Sequence, residues 1–174
     1  ASETNRIERG SMITAAEIAS HCDALLSCER FSDYCPNGLQ VEGDRPIRRL
    51  ITGVTACQRL IDAAVAAGAD GLLVHHGFFW KGEAAALTGV KGRRVRTLNR
   101  AGISLLAYHL PLDAHPQLGN NRRLGAILEL QGVQPGAGDD DLLWCGSLAS
   151  PMPASAFAAQ VGHSLGRAPL HIAV

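Results

Sequence analysis

Short apolar runs alternate with helical patterns along the middle of the chain. Residues 50–54, 72–74 and 103–108 form continuous apolar runs of strand length. Such runs are typical of parallel strands that are buried on both faces. Between them, residues 57–67 and 90–100 have helical spacing and end at Gly68 and Gly102, which are usual helix stops. The alternation predicts an α/β fold, with a mostly parallel mixed sheet and helices on both faces.

The flanking segments add further elements. Thr14 and Glu17 form a capping box at the start of a predicted helix over residues 15–28. Pro36-Asn37-Gly38 predicts a turn. The remaining predictions are a helix at 120–130, a Gly-, Pro- and Asp-rich loop at 132–141, a strand near 142–148, a helix near 154–165 and a final strand at 170–174.

This organisation suggests three parts. Residues 1–11 are polar and are interpreted as an N-terminal arm or an artificial remnant. Residues 12–131 are predicted to form the α/β domain, and residues 132–174 the start of a second subdomain. The chain stops inside the apolar run PLHIAV, so we expect this subdomain to be truncated and further sequence to follow.

Composition excludes several classes of protein. The 174 residues are 47% hydrophobic and carry no net charge, which is typical of a globular protein without a bulk attraction for nucleic acid. No apolar stretch approaches the roughly 20 residues that a bilayer crossing needs, so no membrane partner is expected. The five cysteines are odd in number and lack C-x-x-C spacing, which favours reduced thiols and a cytoplasmic location.

Histidine and carboxylate side chains follow two of the predicted strands. His75 and His76 end the second strand, and the third strand leads into a predicted loop that contains His109, Asp113 and His115. Ligands of open parallel sheets bind beyond the carboxyl ends of the strands. Consecutive strands are usually neighbours, so we expect these groups to converge at one edge of the sheet.

Imidazole and carboxylate donors predict a transition-metal site. They suit zinc, manganese, iron, cobalt or nickel better than calcium. Adjacent histidines that leave a strand are expected to diverge, which favours two metal ions over one. Asp113 would bridge the two ions, and such a pair activates water for hydrolysis. A structural role for the histidine pair remains open from the residues alone.

Three motifs resemble one known family. NGLQVEG (37–43), LLVHHGFFWKGE (72–83) and YHLPLDAHPQLGNN (108–121) are similar to those of the GTP cyclohydrolase I type 2 homolog family, also called the Nif-three-like family, over about residues 12–174. The resemblance implies an α/β fold in two related halves, a dinuclear metal centre and a ring-shaped homohexamer. It also implies that His75, His76 and a bridging Asp113 bind the metal ions.

The sequence departs from the family at one motif. Members usually supply a further histidine and glutamate from an H-x-x-x-E motif, which does not occur after Asp113. His163 is followed by Arg167 at the fourth position, and His171 lies too close to the end. Three protein ligands cannot fill two metal ions that each need about four donors. We therefore expect an incomplete site unless water, a partner chain or further residues contribute.

Other residues near these motifs are secondary candidates. His109 is a candidate catalytic residue that shuttles protons or orients a ligand, with simple packing as the alternative. Phe79 and Trp80 can stack on a purine base and Lys81 can neutralise a phosphate; packing and surface solvation are the alternatives.

Two functions follow from these residues and from the resemblance. The first is a metal-dependent hydrolase that acts on a nucleotide, a related heterocycle or a phosphoester. The second is a non-catalytic scaffold or regulatory partner that forms a ring and uses metal for structure. Solvent access separates them, because a catalytic metal site keeps an open position and a structural one does not.

Overall fold

A computed structural model describes residues 12–137 and 141–172. The predicted arm at 1–11, residues 138–140 of the predicted loop and residues 173 and 174 of the predicted final strand lie outside the described residues. The chain divides into two compact units, Ala1–His109 and Leu110–Val174. The predicted subdomain boundary between residues 131 and 132 stays a prediction.

The first unit is built on a four-stranded sheet. Its elements are α1 (Ala15–Leu26), a 3-10 turn (Cys28–Arg30), β1 (Gly38–Val41), β2 (Leu50–Thr55), α2 (Gln58–Ala66), β3 (Gly71–His76), α3 (Gly89–Ala101) and β4 (Ser104–Ala107). The strand order is β1-β4-β3-β2. The β2–β3 and β3–β4 pairs are parallel, and β1 runs antiparallel to β4. The predicted mostly parallel mixed sheet is therefore confirmed.

The central strands β3 and β4 contain the core of this unit. All four residues of β4 are buried, and Leu72 of β3 and Leu105 of β4 are completely inaccessible to solvent. Strands covered on both faces need apolar side chains on both faces, which explains their continuous apolar sequence. Helices α2 and α3 pack on each other and on the sheet, and α1 packs against β1 and β4.

Strand β1 was not predicted. The chain bends at Tyr34 and Cys35, just before the predicted turn, and Gly38 then starts the strand with φ +101°. This left-handed backbone conformation favours glycine. The strand has only four residues and forms by pairing with β4, which follows much later in the chain. Local periodicity therefore gives little sign of it.

The second unit consists of short helices and one hairpin. Its elements are α4 (Leu110–Ala114), α5 (Asn120–Ile127), β5 (Gln131–Pro135), β6 (Trp144–Ser147) and α6 (Ala154–Leu165). Strands β5 and β6 pair antiparallel. The predicted helix at 154–165 is confirmed.

Three predictions for the second unit were wrong. The loop predicted after His109 contains α4, and the loop predicted at 132–141 contains most of β5, which forms because β6 supplies a pairing partner. The final strand predicted at 170–174 does not form over residues 170–172, where Leu170 and Ile172 are 89% and 74% exposed. Apolar character alone does not make a strand without a paired neighbour.

A histidine cluster at the ends of β3 and β4

The carboxyl ends of β3 and β4 lie at the same edge of the sheet. The two strands are parallel neighbours, and their last paired residues are Val74 and Ala107. His75 and His76 follow Val74, and His109 comes two residues after Ala107. The predicted convergence of these three histidines is observed.

The three imidazole rings form one compact cluster. The ring centroids of His75 and His76 are 4.5 Å apart, and that of His109 lies 5.1 Å from the first and 5.6 Å from the second. One ligand atom from each residue lies within 4.8 Å of the others. The expectation that His75 and His76 diverge was wrong. Both residues belong to β3, and His76 is still paired with Thr55 of β2, so the rings come together within the strand rather than beyond it.

Hydrogen bonds orient the first two rings. Nδ1 of His75 donates to the backbone carbonyl of Tyr108 at 2.9 Å, which places the proton on Nδ1 and the lone pair of the neutral ring on Nε2. Nδ1 of His76 lies 3.1 Å from the hydroxyl of Thr55 on β2. Such partners fix the tautomer and the angle of histidines that bind metals.

His109 is held by residues that precede β1. Its Nδ1 lies 2.8 Å from Oδ1 of Asp33, whose side chain is only 3% exposed. The backbone N–H of His109 donates to Oδ1 of Asn37 at 2.7 Å, and the Asn37 amide donates to Oδ2 of Asp33 at 2.9 Å. One carboxylate and one amide thus position both the ring and the backbone of His109. Sequence reasoning missed Asp33, because only the fold brings it to the histidines.

The motif containing Asn37 also positions the turn after β3. The Phe78 backbone N–H donates to Oε1 of Gln40 at 2.7 Å, and the Gln40 amide donates to the Pro36 carbonyl at 2.8 Å. A Cβ atom on Gly77 would lie 2.1 Å from Oε1 of Gln40 and 2.7 Å from Cβ of Ala107. A side chain at residue 77 would therefore force Gln40 and Ala107 to shift, which explains the glycine directly after the two histidines.

The aromatic residues after Gly77 surround the cluster unequally. The Trp80 ring stands edge-on to His109 at 5.1 Å and lies 6.1 Å from His76. Phe79 adopts φ +63°, and its ring lies 5.8 Å from Nζ of Lys91. Lys81 is exposed, and its backbone N–H donates to the Tyr34 carbonyl at 2.6 Å. Of the three substrate-binding candidates, Trp80 is the one that the structure brings to both His76 and His109.

Asp113 and His115 belong to the second unit. Asp113 lies in α4, and its Oδ1 accepts a hydrogen bond from the Asn120 amide at 2.7 Å. Nδ1 of His115 accepts the backbone N–H groups of Gln117 and Leu118 at 3.2 Å and 3.0 Å. His115 therefore stabilises its own turn. The assignment of Asp113 as a metal ligand stays a prediction.

The donor set suits a transition metal. Each of the three imidazoles can offer one nitrogen to a metal ion, and all three histidines are only partly buried. Three histidines with one open position are a known catalytic arrangement for zinc. Asp33, Cys35 and His109 form a second group with ligand atoms within 4.8 Å of one another.

Comparison with known proteins gives consistent matches. The family model described as Duf34/NIF3 (NGG1p interacting factor 3) matches residues 13–174. A protein of Allochromatium vinosum named GTP cyclohydrolase 1 type 2 homolog is 52% identical over 161 residues, which cover 92% of this chain and 63% of that protein. A Pseudomonas aeruginosa protein of the same name is 50% identical over 160 residues, covering 91% and 64%.

Solved structures agree with this result. One described as "Structural genomics, protein ybgI, unknown function" matches with a TM-score of 0.83 and 44% identity, covering 91% of this chain and 63% of that one. Protein TTHA1606 from Thermus thermophilus matches with a TM-score of 0.78 and 36% identity, covering 91% and 64%. The chain thus spans about 63% of the length of the A. vinosum relative. Among residues 12–137 and 141–172, none of the helices has the length and apolar character that a bilayer crossing requires.

Proposed function

Because the chain belongs to the Duf34/NIF3 family, we propose that it binds divalent transition metal through His75 and His76 and serves as a metal-dependent hydrolase. The proposed substrates are a nucleotide, a related heterocycle or a phosphoester. The observation that carries the proposal is the compact cluster of three imidazoles, with one ligand atom each within 4.8 Å. A packing role does not require ring nitrogens to converge in this way.

The hydrogen bonds around the cluster support metal binding. The Tyr108 carbonyl accepts the Nδ1 proton of His75 and so leaves the Nε2 lone pair for a metal ion, and the Thr55 hydroxyl restrains His76. Neutral imidazoles suit zinc, manganese, iron, cobalt or nickel. A bound ion would supply an activated water, whose pKa falls to about 7 on zinc, and would polarise the bond under attack.

Asp113 is proposed as the carboxylate donor that bridges a second ion. The support is the match of YHLPLDAHPQLGNN to the family motif and the position of Asp113 only four residues after His109. The remaining donors for two ions would come from water, from a partner chain or from residues that the longer relatives contain. Two ions per chain are part of this proposal.

His109 is proposed as a catalytic residue that accepts or returns a proton. Asp33 holds Nδ1 at 2.8 Å, and this contact presents Nε2 as the nitrogen that exchanges a proton with the reacting group. Trp80 is proposed to stack on a substrate ring, since it already lies against His76 and His109. Phe79 and Lys81 are proposed to extend this substrate surface.

A scaffold role is the second candidate. The family description names an NGG1p interacting factor, which favours a binding partner rather than a substrate. In this role the chain would assemble into a ring-shaped homohexamer and use metal for structure. A native mass measurement tests the assembly, because six chains are expected and one or two would contradict a ring. We place either activity in the cytoplasm, since all five cysteines are free.

An activity assay decides between the two candidates. The metal-loaded chain is incubated with GTP, other nucleotides and phosphoesters, and product formation is measured. The hydrolase proposal expects turnover that survives purification, that disappears on metal removal and that falls strongly in His75→Ala and Asp113→Ala. His21→Ala is the matched control, because His21 is an exposed residue of α1. Tight metal binding without turnover of any of these substrates would favour the scaffold.

A further inference from the structure

His109 also belongs to a second group of side chains with the donor atoms that metal ions use. Asp33, Cys35 and His109 each place one ligand atom within 4.8 Å of the other two. Of this set, only His109 was singled out from the sequence. The set contains an oxygen, a sulfur and a nitrogen donor, which distinguishes it from the all-imidazole cluster.

The Cys35 side chain is one of the buried residues of the core. Cys35 is 7% exposed, and it makes no hydrogen bond within the described residues. Burial raises the pKa of the Cys35 thiol to about 11, and the Asp33 carboxylate adds to the rise. The thiol is therefore protonated at neutral pH and is a poor nucleophile, so a redox or nucleophilic role is not indicated.

An open groove gives access to this set from solvent. The groove has a volume of about 420 Å³ and is lined by Asp33 and Cys35 together with Cys28 and the carboxylates Asp23 and Glu29. No lysine, arginine or histidine is among the lining residues in the described part of the chain. The Arg30 guanidinium lies over the ring of the lining residue Phe31 at 5.8 Å. The carboxylates that line the groove therefore attract cations to it.

We propose that Asp33, Cys35 and His109 form a second metal site, which takes a borderline transition cation such as zinc(II) or cobalt(II) from the acidic groove. One thiolate, one imidazole and one carboxylate leave a fourth position for water in a tetrahedral site. A thiolate selects such ions over magnesium or calcium. The site needs neither His75 nor His76, so metal binding here can be tested separately from the proposed hydrolase, with which it shares His109.

The proton balance of binding is simple. The ion displaces the thiol proton of Cys35 to solvent. It takes Nδ1 of His109, which now faces Asp33 at 2.8 Å, and the proton of the neutral ring moves to Nε2. A neutral imidazole has one lone pair, so His109 serves this site or the histidine cluster, but not both at once.

Cobalt(II) titration of the intact chain tests the site through the near-ultraviolet charge-transfer band that a thiolate ligand produces. The band is expected in the unaltered chain and is expected to vanish in Cys35→Ser. It should persist in Cys28→Ser, which changes a thiol in the same groove that is outside the ligand set, and in the doubly substituted His75→Ala, His76→Ala chain. Asp33→Asn should weaken cobalt binding by at least the roughly 10–100-fold that losing a supporting group costs.

Two results would overturn the proposal: the absence of a thiolate band at saturating cobalt, or a band that survives in Cys35→Ser. X-ray absorption of the zinc-loaded, unaltered chain keeps the test independent of how well the variants fold. One sulfur neighbour around zinc is expected, and a shell of only nitrogen and oxygen would refute the site. The proposed site would also be refuted if the band disappeared in the His75→Ala, His76→Ala chain but in neither cysteine variant, because that result assigns the thiolate to the histidine cluster.

Discussion

The β3–β4 pair and the β5–β6 hairpin differ in how much of each strand is buried. In β4 every residue is buried, and in β3 no residue is fully exposed. In β5 and β6 all residues but one in each strand are exposed. His75 and His76 end β3, and His109 follows β4 by two residues. Functional side chains need a rigid support to stay within a narrow range of geometry, and the buried strands provide it.

Substitutions of large apolar side chains should give the largest difference in stability loss between the two regions. Leu105→Ala in β4 should lower the free energy of unfolding by about 2–5 kcal/mol, because it opens a cavity beside Leu72 and its neighbours. Leu143→Ala in the second unit is the matched control, since Leu143 is 58% exposed and should change stability by less than about 0.5 kcal/mol. Urea unfolding measures both, and equal losses would contradict the comparison.

Alanine substitutions at two glycines compare the packing next to the histidines with the packing in the second unit. Gly77→Ala should cost about 1–3 kcal/mol, because the new methyl group overlaps Cβ of Ala107 and a Gln40 side chain held by two hydrogen bonds. Gly162→Ala in α6 should change stability by less than about 1 kcal/mol. Alanine favours the helix there, and the nearest atom would be Cδ of Pro169 at 3.3 Å. Thermal unfolding of both variants measures the two losses of stability. A larger loss in Gly162→Ala than in Gly77→Ala would contradict the prediction.

The amide of Asn37 tests how far the positions of the histidines depend on residues before β1. Asn37→Ala removes the hydrogen bonds to the backbone of His109 and to Asp33, and should weaken metal binding about 10–100-fold. Asn99→Ala, on the exposed side of α3, should leave the affinity unchanged. Competition titration with a metal indicator gives both values. An unchanged affinity in Asn37→Ala would show that the ring needs no such support.

The smallest expected effect concerns the start of β2. Asp70 accepts the backbone N–H groups of Arg49 and Arg48 and the Arg45 guanidinium, and these contacts lower its pKa below the ordinary 3.8. The stabilisation is present above that ordinary value and is lost as the pH falls through the lowered pKa. Asp70→Asn should therefore lose stability at neutral pH and show a shallower decline as the pH falls below about 5. Unfolding curves identical to those of the unaltered chain would contradict this.

Local patterns in the sequence were enough to predict most helices and the parallel strands. Thr14 and Glu17 form the expected capping box, and the predicted strands at 50–54 and 72–74 correspond to β2 and β3. Caps and continuous apolar runs depend on residues that are close in sequence. The pair His75 and His76 was predictable for the same reason, since it directly follows an apolar run.

Features that depend on distant partners were not predictable in this way. Strand β1 exists because β4 pairs with it, and β5 because β6 does, although its Gly and Pro content indicates a loop. Asp33 reaches His109 only in the folded sheet. The expected divergence of the two histidines failed although His76 is still paired with Thr55: the two rings lie 4.5 Å apart, so alternation along a strand does not by itself set where long side chains end.

Anomalous diffraction at the metal edge, from crystals of the metal-loaded chain, tests the central claim most directly. The account predicts an anomalous peak within bonding distance of imidazole nitrogens of His75 and His76. A loaded crystal in which no peak lies within bonding distance of either histidine would contradict it.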